Sequence, residues 1–242
     1  METTFEKLSD KICVCISNLH RFGTDAFLLA NFSAPLKKDT VCDLGTGCGI
    51  IPLILERDFS PKKIVGVEIQ QEAFNLFELG IKKSGLTDKI TPSHSDLKAV
   101  NTLFPHGDFD VVTCNPPYKA KNAGIKSSDN ASKIARHEIL CDINDVCNSA
   151  SHLLRFGGKL CLCQRPERLG DVIVAMKNAK IEPKRLRFVS KNSTSAPWLF
   201  LIEGKKGSKP FMRIEPPLFI RSQSGISDEL LSIYGDGKES IL

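Results

Sequence analysis

No stretch of about 18 consecutive apolar residues occurs in the 242-residue chain, so the sequence carries no signal for a transmembrane helix. The opening residues, Met1-Glu2-Thr3-Thr4, hold no basic region followed by an apolar one, and a secretory signal is not indicated. Metal-site spacing is missing too. Among nine cysteines there is no Cys-x-x-Cys pair and no Cys/His cluster of zinc type. Cys13 and Cys15, like Cys161 and Cys163, are separated by a single residue, and most of the cysteines lie inside apolar runs. The expectation is of reduced cysteines packed as small hydrophobes, in a cytoplasmic protein with no metal and no membrane partner. No internal repeat or low-complexity block is visible. What remains is an ordinary globular composition, 41% apolar and 25% charged, sufficient for one sizeable core. The formal net charge of +5 permits a nucleic-acid partner without requiring one.

Short apolar runs alternate with helical stretches. Residues 41–44, 63–68, 109–114 and 159–163 read as strands, and Ile90-Thr91 starts another. Residues 50–57, 71–84, 139–154 and a stretch from Gly170 to about Lys180 read as helices, with Gly85 and Phe156-Gly157-Gly158 as stops. Thr24 or Asp25 is expected to cap a further, amphipathic helix. This alternation predicts an α/β protein with a parallel sheet covered on both faces. Residues 185–190 and 198–202 are close enough in sequence to pair as an antiparallel hairpin. Beyond Gly204 the chain is basic, then contains Pro216-Pro217 and a short helix near residues 228–234, expected to pack back on the same domain. Residues 118–136 are polar, hold Lys119, Lys121, Lys126 and Lys133, and are expected to form a mobile, functional loop.

Asp43-Leu44-Gly45-Thr46-Gly47-Cys48-Gly49 follows a strand and opens a helix. Its glycines let the backbone turn sharply and a ligand come close, though a glycine turn alone is also an ordinary strand-to-helix connection. Glu68 ends the next strand, 23 residues after Gly45, where a carboxylate can accept hydrogen bonds from both hydroxyls of a ribose. Asp96 follows the third strand and suits either an adenine amine or a helix cap. No Lys or Ser/Thr follows the glycines in the manner of a P-loop, which disfavours a nucleoside triphosphate.

Asn115-Pro116-Pro117-Tyr118 ends the strongest strand candidate, residues 109–114. Taken in order, these motifs resemble those of class I S-adenosylmethionine-dependent methyltransferases over roughly residues 21–202. The resemblance implies a Rossmann-like domain over residues 1–203, with an N-terminal cofactor-covering segment. It also implies a mostly parallel seven-stranded sheet, one antiparallel strand near the C-terminus and helices on both faces. Residues 204–242 form the tail. S-adenosyl-L-methionine is the implied cofactor. Asp43, Gly45, Gly47 and Gly49 would hold its methionine end, Glu68 the ribose and Asp96 the adenine. Ile69, Leu97 and Asn115 are the remaining implied contacts.

In this family the tetrapeptide marks methylation of a planar nitrogen, and the physics is coherent. The lone pair of an adenine amine or a glutamine amide is delocalised, so the nitrogen is a poor nucleophile. Two acceptors gripping its two N–H bonds, the Asn115 side-chain oxygen and the Pro116 carbonyl, pull it toward a tetrahedral shape. Successive prolines, Pro116 and Pro117, hold a stiff turn that aims that carbonyl. Tyr118 stacks on the planar group.

His20-Arg21-Phe22-Gly23-Thr24-Asp25-Ala26-Phe27-Leu28-Leu29-Ala30 is similar to the N-terminal signature of bacterial tRNA (adenine-N6)-methyltransferases that modify valine tRNA. Ala135-Arg136-His137-Glu138, Arg165-Pro166-Glu167-Arg168 and Ile233-Tyr234 also resemble that group. The implied substrate is the adenosine immediately 3′ of the anticodon, with the tRNA anticodon loop as partner. Arg21, Phe22, Gly23 and Thr24 would belong to a segment closing over the cofactor. Lys119, Lys121, Lys126, Arg136, Lys205, Lys206 and Lys209 are candidate phosphate contacts, each taken singly more readily read as a solvated surface charge. Four alternatives stay open. Release-factor glutamine N5-methyltransferases share the tetrapeptide but carry a helical N-terminal domain, for which the residues before Val41 are too few. DNA adenine methylation calls for an added recognition domain. Guanine-N2 methylation of rRNA usually places Phe where Tyr118 stands. A non-catalytic RNA-binding protein on the same fold is the last.

Overall fold

The computed structural model describes residues 2–116, 141–223 and 225–235. The first half of the chain forms β1 (Thr3–Lys7), β2 (Cys13–Ser17), α1 (Thr24–Ser33), β3 (Thr40–Leu44), α2 (Ile50–Phe59), β4 (Lys63–Glu68), α3 (Gln71–Lys83), β5 (Ile90–His94), the short α4 (Val100–Leu103) and β6 (Phe109–Cys114). The second half adds α5 (Ile143–Leu153), β7 (Leu154–Gln164), α6 (Leu169–Asn178), β8 (Ile181–Ser190) and β9 (Pro197–Lys206). It ends in four two-residue strands, β10 (Arg213–Ile214), β11 (Leu218–Phe219), β12 (Arg221–Ser222) and β13 (Gly225–Ile226), and α7 (Asp228–Tyr234).

The central sheet runs β10-β8-β9-β7-β6-β3-β4-β5, with β11 also on β8. Its pairings are parallel except those of β9, which is antiparallel to both β7 and β8. The central strands β3, β4 and β6 are buried at almost every position because both faces are covered. Along β7 and β9 neighbouring residues alternate between two cores. Cys161, Cys163, Leu199 and Leu201 face α1 and α2, whereas Leu160, Leu162, Phe200 and Ile202 face α5 and α6. All nine cysteines are free; seven are buried, and Cys13 and Cys141 are half-buried. Burial pushes the thiols of Cys48, Cys147 and Cys161 up to about 12, which leaves them inert packing groups.

The antiparallel hairpin of β1 and β2, not expected from the sequence, packs on α3 and is tied to it by Ser84, whose hydroxyl accepts from Cys13 N at 3.0 Å. α5 starts at Ile143, later than the spacing suggested, because Asp142 and Asp145 form a reciprocal capping box there. α7 returns to α1: the Thr24 and Tyr234 hydroxyls lie 2.7 Å apart, and Arg57 donates to the carbonyls of Ile233 and Tyr234.

Chain order reverses between β3 and β6, which are adjacent in the sheet although β4 and β5 intervene in sequence. A parallel sheet leaves a crevice at such a point, outside the carboxyl ends of the strands. Leu44 and Cys114, aligned in register, both end there.

Candidate active site

A cavity of about 260 Å³ opens at this reversal. Its wall includes Gly45 and Gly47 after β3, Glu68, Ile69 and Gln70 after β4, Ser95, Asp96 and Leu97 after β5, and Asn115 and Pro116 after β6. Residues 141 and 146 close the far side. Each group comes from a different strand end, so the sheet register alone brings them together.

The glycine turn is pinned to β4. Gly45 N and Thr46 N donate to the Val67 carbonyl at 2.9 and 3.0 Å, and Gly47 N donates to Glu68 Oε2 at 2.8 Å. Gly45 and Gly47 stand at φ +68° and +59°, where side chains are strained, and a Cβ at either would meet nothing within 4 Å. That open space beside the backbone is a cradle for a ligand. Gly49 serves differently. Its Cβ would fall 1.9 Å from Phe77 Cδ2, so it packs the turn against α3 and does not line the cavity.

Glu68 is buried, and each carboxylate oxygen takes one backbone N–H: Oε2 from Gly47 and Oε1 from Gln70, both at 2.8 Å. A carboxylate offers about four acceptor positions, so two remain for a diol at the cavity wall. Asp96 does both things its position allowed: Oδ1 caps the turn that follows by accepting from Lys98 N at 2.9 Å, and the residue lines the cavity.

Asp43 is not on the wall; it lies buried beneath the turn. Thr113, its register partner on β6, donates to Oδ1 at 2.6 Å. Oδ2 has no hydrogen-bond partner among the described residues, and neither does the nearby Thr46 hydroxyl, which stands outside hydrogen-bond geometry. Burial pushes the Asp43 carboxyl up to about 7, against the pull of Thr113. A cation seated over the turn would favour its ionised form. In the protein alone the sign runs the other way. Folding favours the protonated carboxyl, so this contribution is complete below about pH 4 and is lost as pH rises through about 7. We predict that Asp43→Asn flattens Tm against pH between about 4 and 7, removing a slope of several degrees. Thermal melts of both proteins check this, and an unchanged slope would contradict it.

Asn115 extends from β6 into the cavity. Its Nδ2 donates to Asp25 Oδ2 at 3.0 Å, and the Cys163 thiol, on neighbouring β7, donates to its Oδ1 at 3.1 Å. Neither Asp25 nor Cys163 carried a sequence signal for this role. Neither Asp25 nor Thr24 is the N-cap of α1: that position is Gly23, without a side-chain bond, and both residues lie inside the first turn, where Thr24 meets Tyr234 and Asp25 accepts from Ala26 N as well as from Asn115. Arg21, Phe22, Gly23 and Thr24 do not line the cavity as it stands. Pro117, Tyr118, the loop expected over residues 118–136 and the motif at 135–138 lie outside the described residues.

The basic residues divide by end of the sheet. Lys205 pairs with Lys159, four strand residues below Cys163, which is on the order of 13 Å at ~3.3 Å per residue. Lys206 donates to the Ser151 and Leu154 carbonyls and so closes the end of α5, and burial lowers its ammonium pKa. Lys209 follows at that same far end, its carbonyl accepting from Lys184. These three are therefore not placed beside the cavity. At the near end, Arg165 lies 5.6 Å over the ring of Trp198 and donates to its carbonyl at 3.1 Å. Among the described residues no cluster of His, Cys, Asp or Glu could hold a metal, and no helix is long and apolar enough to cross a membrane.

A sheet of this strand order, with a glycine cradle and an acidic strand end at its reversal, is the architecture of a Rossmann-like methyltransferase. The comparisons with known proteins agree and narrow it. The chain belongs to the methyltransferase small domain family, whose model matches residues 21–168. It is 27% identical over 172 residues to a tRNA1(Val) (adenine(37)-N6)-methyltransferase of Porphyromonas gingivalis, a match covering 69% of this chain and 67% of that one. A protein of the same description from Vibrio cholerae is 25% identical over 214 residues, 88% of this chain and 86% of that one. In fold, the chain is similar to a crystal structure described as a predicted O-methyltransferase from Agrobacterium tumefaciens. That likeness has a TM-score of 0.71 at 18% identity and covers 87% of this chain and 95% of the other.

Proposed function

We propose that this methyltransferase transfers a methyl group from S-adenosyl-L-methionine to N6 of an adenosine in tRNA, the one immediately 3′ of the anticodon in valine tRNA. The observation that carries the reading is that Asn115 and Pro116 line the same cavity as Gly45, Gly47 and Glu68. An acceptor pair for a planar amine thus shares one chamber with a cradle and a diol-binding carboxylate. The description of the Porphyromonas and Vibrio relatives supports the choice of adenosine and of RNA.

The residues present fit the cofactor: the open backbone at Gly45 and Gly47 and the remaining acceptor positions of Glu68, all on the cavity wall. Glu68 would hold the ribose and Asp96 the adenine, with Ile69 and Leu97 beside it. Bound there, the cofactor supplies an electrophilic methyl group on a sulfonium. The chain itself has to hold the target amine, and Asn115 Oδ1 with the Pro116 carbonyl would accept its two N–H bonds. This is catalysis by position and hydrogen bonding, with no covalent enzyme intermediate. A base in an anticodon loop is already partly unstacked, so drawing it into the cavity costs only a few kcal/mol.

Arg165, held over Trp198 at the cavity end of the sheet, places a cation where a substrate phosphate could meet it. The cytoplasm is the compartment this substrate requires. The test is mass spectrometry of nucleosides after incubation of unmodified tRNA, or separately of a release factor, with the protein and labelled cofactor. Label in N6-methyladenosine from tRNA is expected. Label confined to a glutamine of the release factor would overturn the substrate, and label in neither would overturn the activity.

A further inference from the structure

We propose that Asp25 is a positioning residue, whose carboxylate sets which way the Asn115 carboxamide faces. The inference rests on the reading of Asn115 as the amine-gripping side chain. A carboxamide is nearly symmetric in shape but not in chemistry: one end donates, the other accepts. Only the accepting end can take an N–H from a substrate amine, so an Asn that flips is inactive half the time. An ionised carboxylate is acceptor-only, and placed against the carboxamide it admits only the NH2 end. Asp25 Oδ2 meets Asn115 Nδ2 at 3.0 Å, which points Oδ1 the other way, toward the Cys163 thiol on β7. A thiol is a weak donor and yields readily to a better one. The carboxylate also polarises the amide, leaving Oδ1 a stronger acceptor.

The surroundings of Asp25 are arranged for this. Its Oδ1 accepts from Ala26 N at 3.0 Å, which fixes the carboxylate plane. A Cβ at Gly23 would fall 2.7 Å from that same oxygen, so the glycine leaves room for the carboxylate. Gly23 sits at φ −122°, a conformation any residue adopts, so backbone freedom is not the reason for a glycine there. Thr24 meets the Tyr234 hydroxyl at 2.7 Å and anchors the same turn to α7. Gly23-Thr24-Asp25 is thereby explained as a clearance, an anchor and a carboxylate aimed at residue 115.

Two readouts separate this inference from the substrate assignment. In the protein without substrate, the side-chain amide resonances of Asn115, identified by their loss in Asn115→Ala, are expected to shift in Asp25→Ala. With cofactor and tRNA, Asp25→Ala is expected to lower kcat about 10- to 100-fold and to leave both KM values within about twofold. The isosteric Asp25→Asn, which can present either end of its own amide, is expected to show a smaller loss of kcat at unchanged Tm. In the Asn115→Ala background Asp25→Ala is expected to add nothing. Wild-type kcat in both Asp25 variants, an unmoved Asn115 resonance, or an equal loss in the Asn115→Ala background would overturn the proposal. Absence of methyl transfer to tRNA by the wild-type protein would instead count against the substrate and leave the resonance test standing.

Discussion

Asn115→Ala is expected to lower the rate of methyl transfer by at least about 10²- to 10³-fold, the scale of removing one preorganised polar group aimed at the reacting atom. Cofactor affinity should stay within about twofold, because the cradle at Gly45 and Gly47 and the carboxylate of Glu68 are built from other strand ends. The fold should survive, since the side chain sits at the end of β6 and not in either core. Some stability is lost as Asp25 and Cys163 lose a partner, about 1 kcal/mol for each hydrogen bond. Calorimetry for the cofactor and single-turnover assays with tRNA check both halves. Wild-type turnover in this variant would mean that the amine is held elsewhere.

Glu68→Ala should behave in the opposite way and fail at cofactor binding. The side chain does two jobs at once. It accepts from Gly47 N and Gln70 N, which fixes the glycine turn and the start of α3, and it presents its remaining acceptor positions to a diol. Hydrogen bonds to charged groups contribute about 1.5–3 kcal/mol each, so losing two or more predicts a Kd raised at least about 100-fold. Glu68→Gln keeps one acceptor oxygen but turns an NH2 toward one of the backbone donors, and should fall between. Calorimetric titration with S-adenosyl-L-methionine decides this. A Kd within threefold of wild type for Glu68→Ala would remove the ribose assignment.

Where the chain is buried, the sequence was a reliable guide. β4 and β6 fall on the residues read as strands, 63–68 and 109–114, and α7 on the short helix expected near Asp228–Tyr234. The β8–β9 hairpin pairs as expected, with both strands longer than their apolar cores. The hairpin of β1 and β2 went unread because β1, Thr-Thr-Phe-Glu-Lys, is exposed along most of its length and has no face to alternate. Residue type also misplaced the cap of α1, which is Gly23. Thr24 and Asp25 are good capping residues by type, but both lie inside the first turn, where Thr24 meets Tyr234 and Asp25 divides its two oxygens between Ala26 N and Asn115.

The same limit applies at the site. Gly45, Gly47, Glu68 and Asn115 were legible because each ends a strand that could be recognised by itself. Residues 95, 141 and 146 join the wall only through the sheet's geometry, and nothing local marks them. Lys205, Lys206 and Lys209 were candidate phosphate contacts by their type alone, and type does not say which end of the sheet they occupy. Strand direction decides which end of a sheet a residue reaches, and β9 runs antiparallel, carrying them away from the cavity.

The central claim is spatial, and a crystal structure with S-adenosyl-L-homocysteine and adenosine bound tests it most directly. The account predicts the adenine amine within hydrogen-bond distance of both Asn115 Oδ1 and the Pro116 carbonyl, with Asp25 still accepting from Asn115 Nδ2. A structure in which the residue-115 side chain turns away from the wall formed by Gly45 and Gly47 would contradict it.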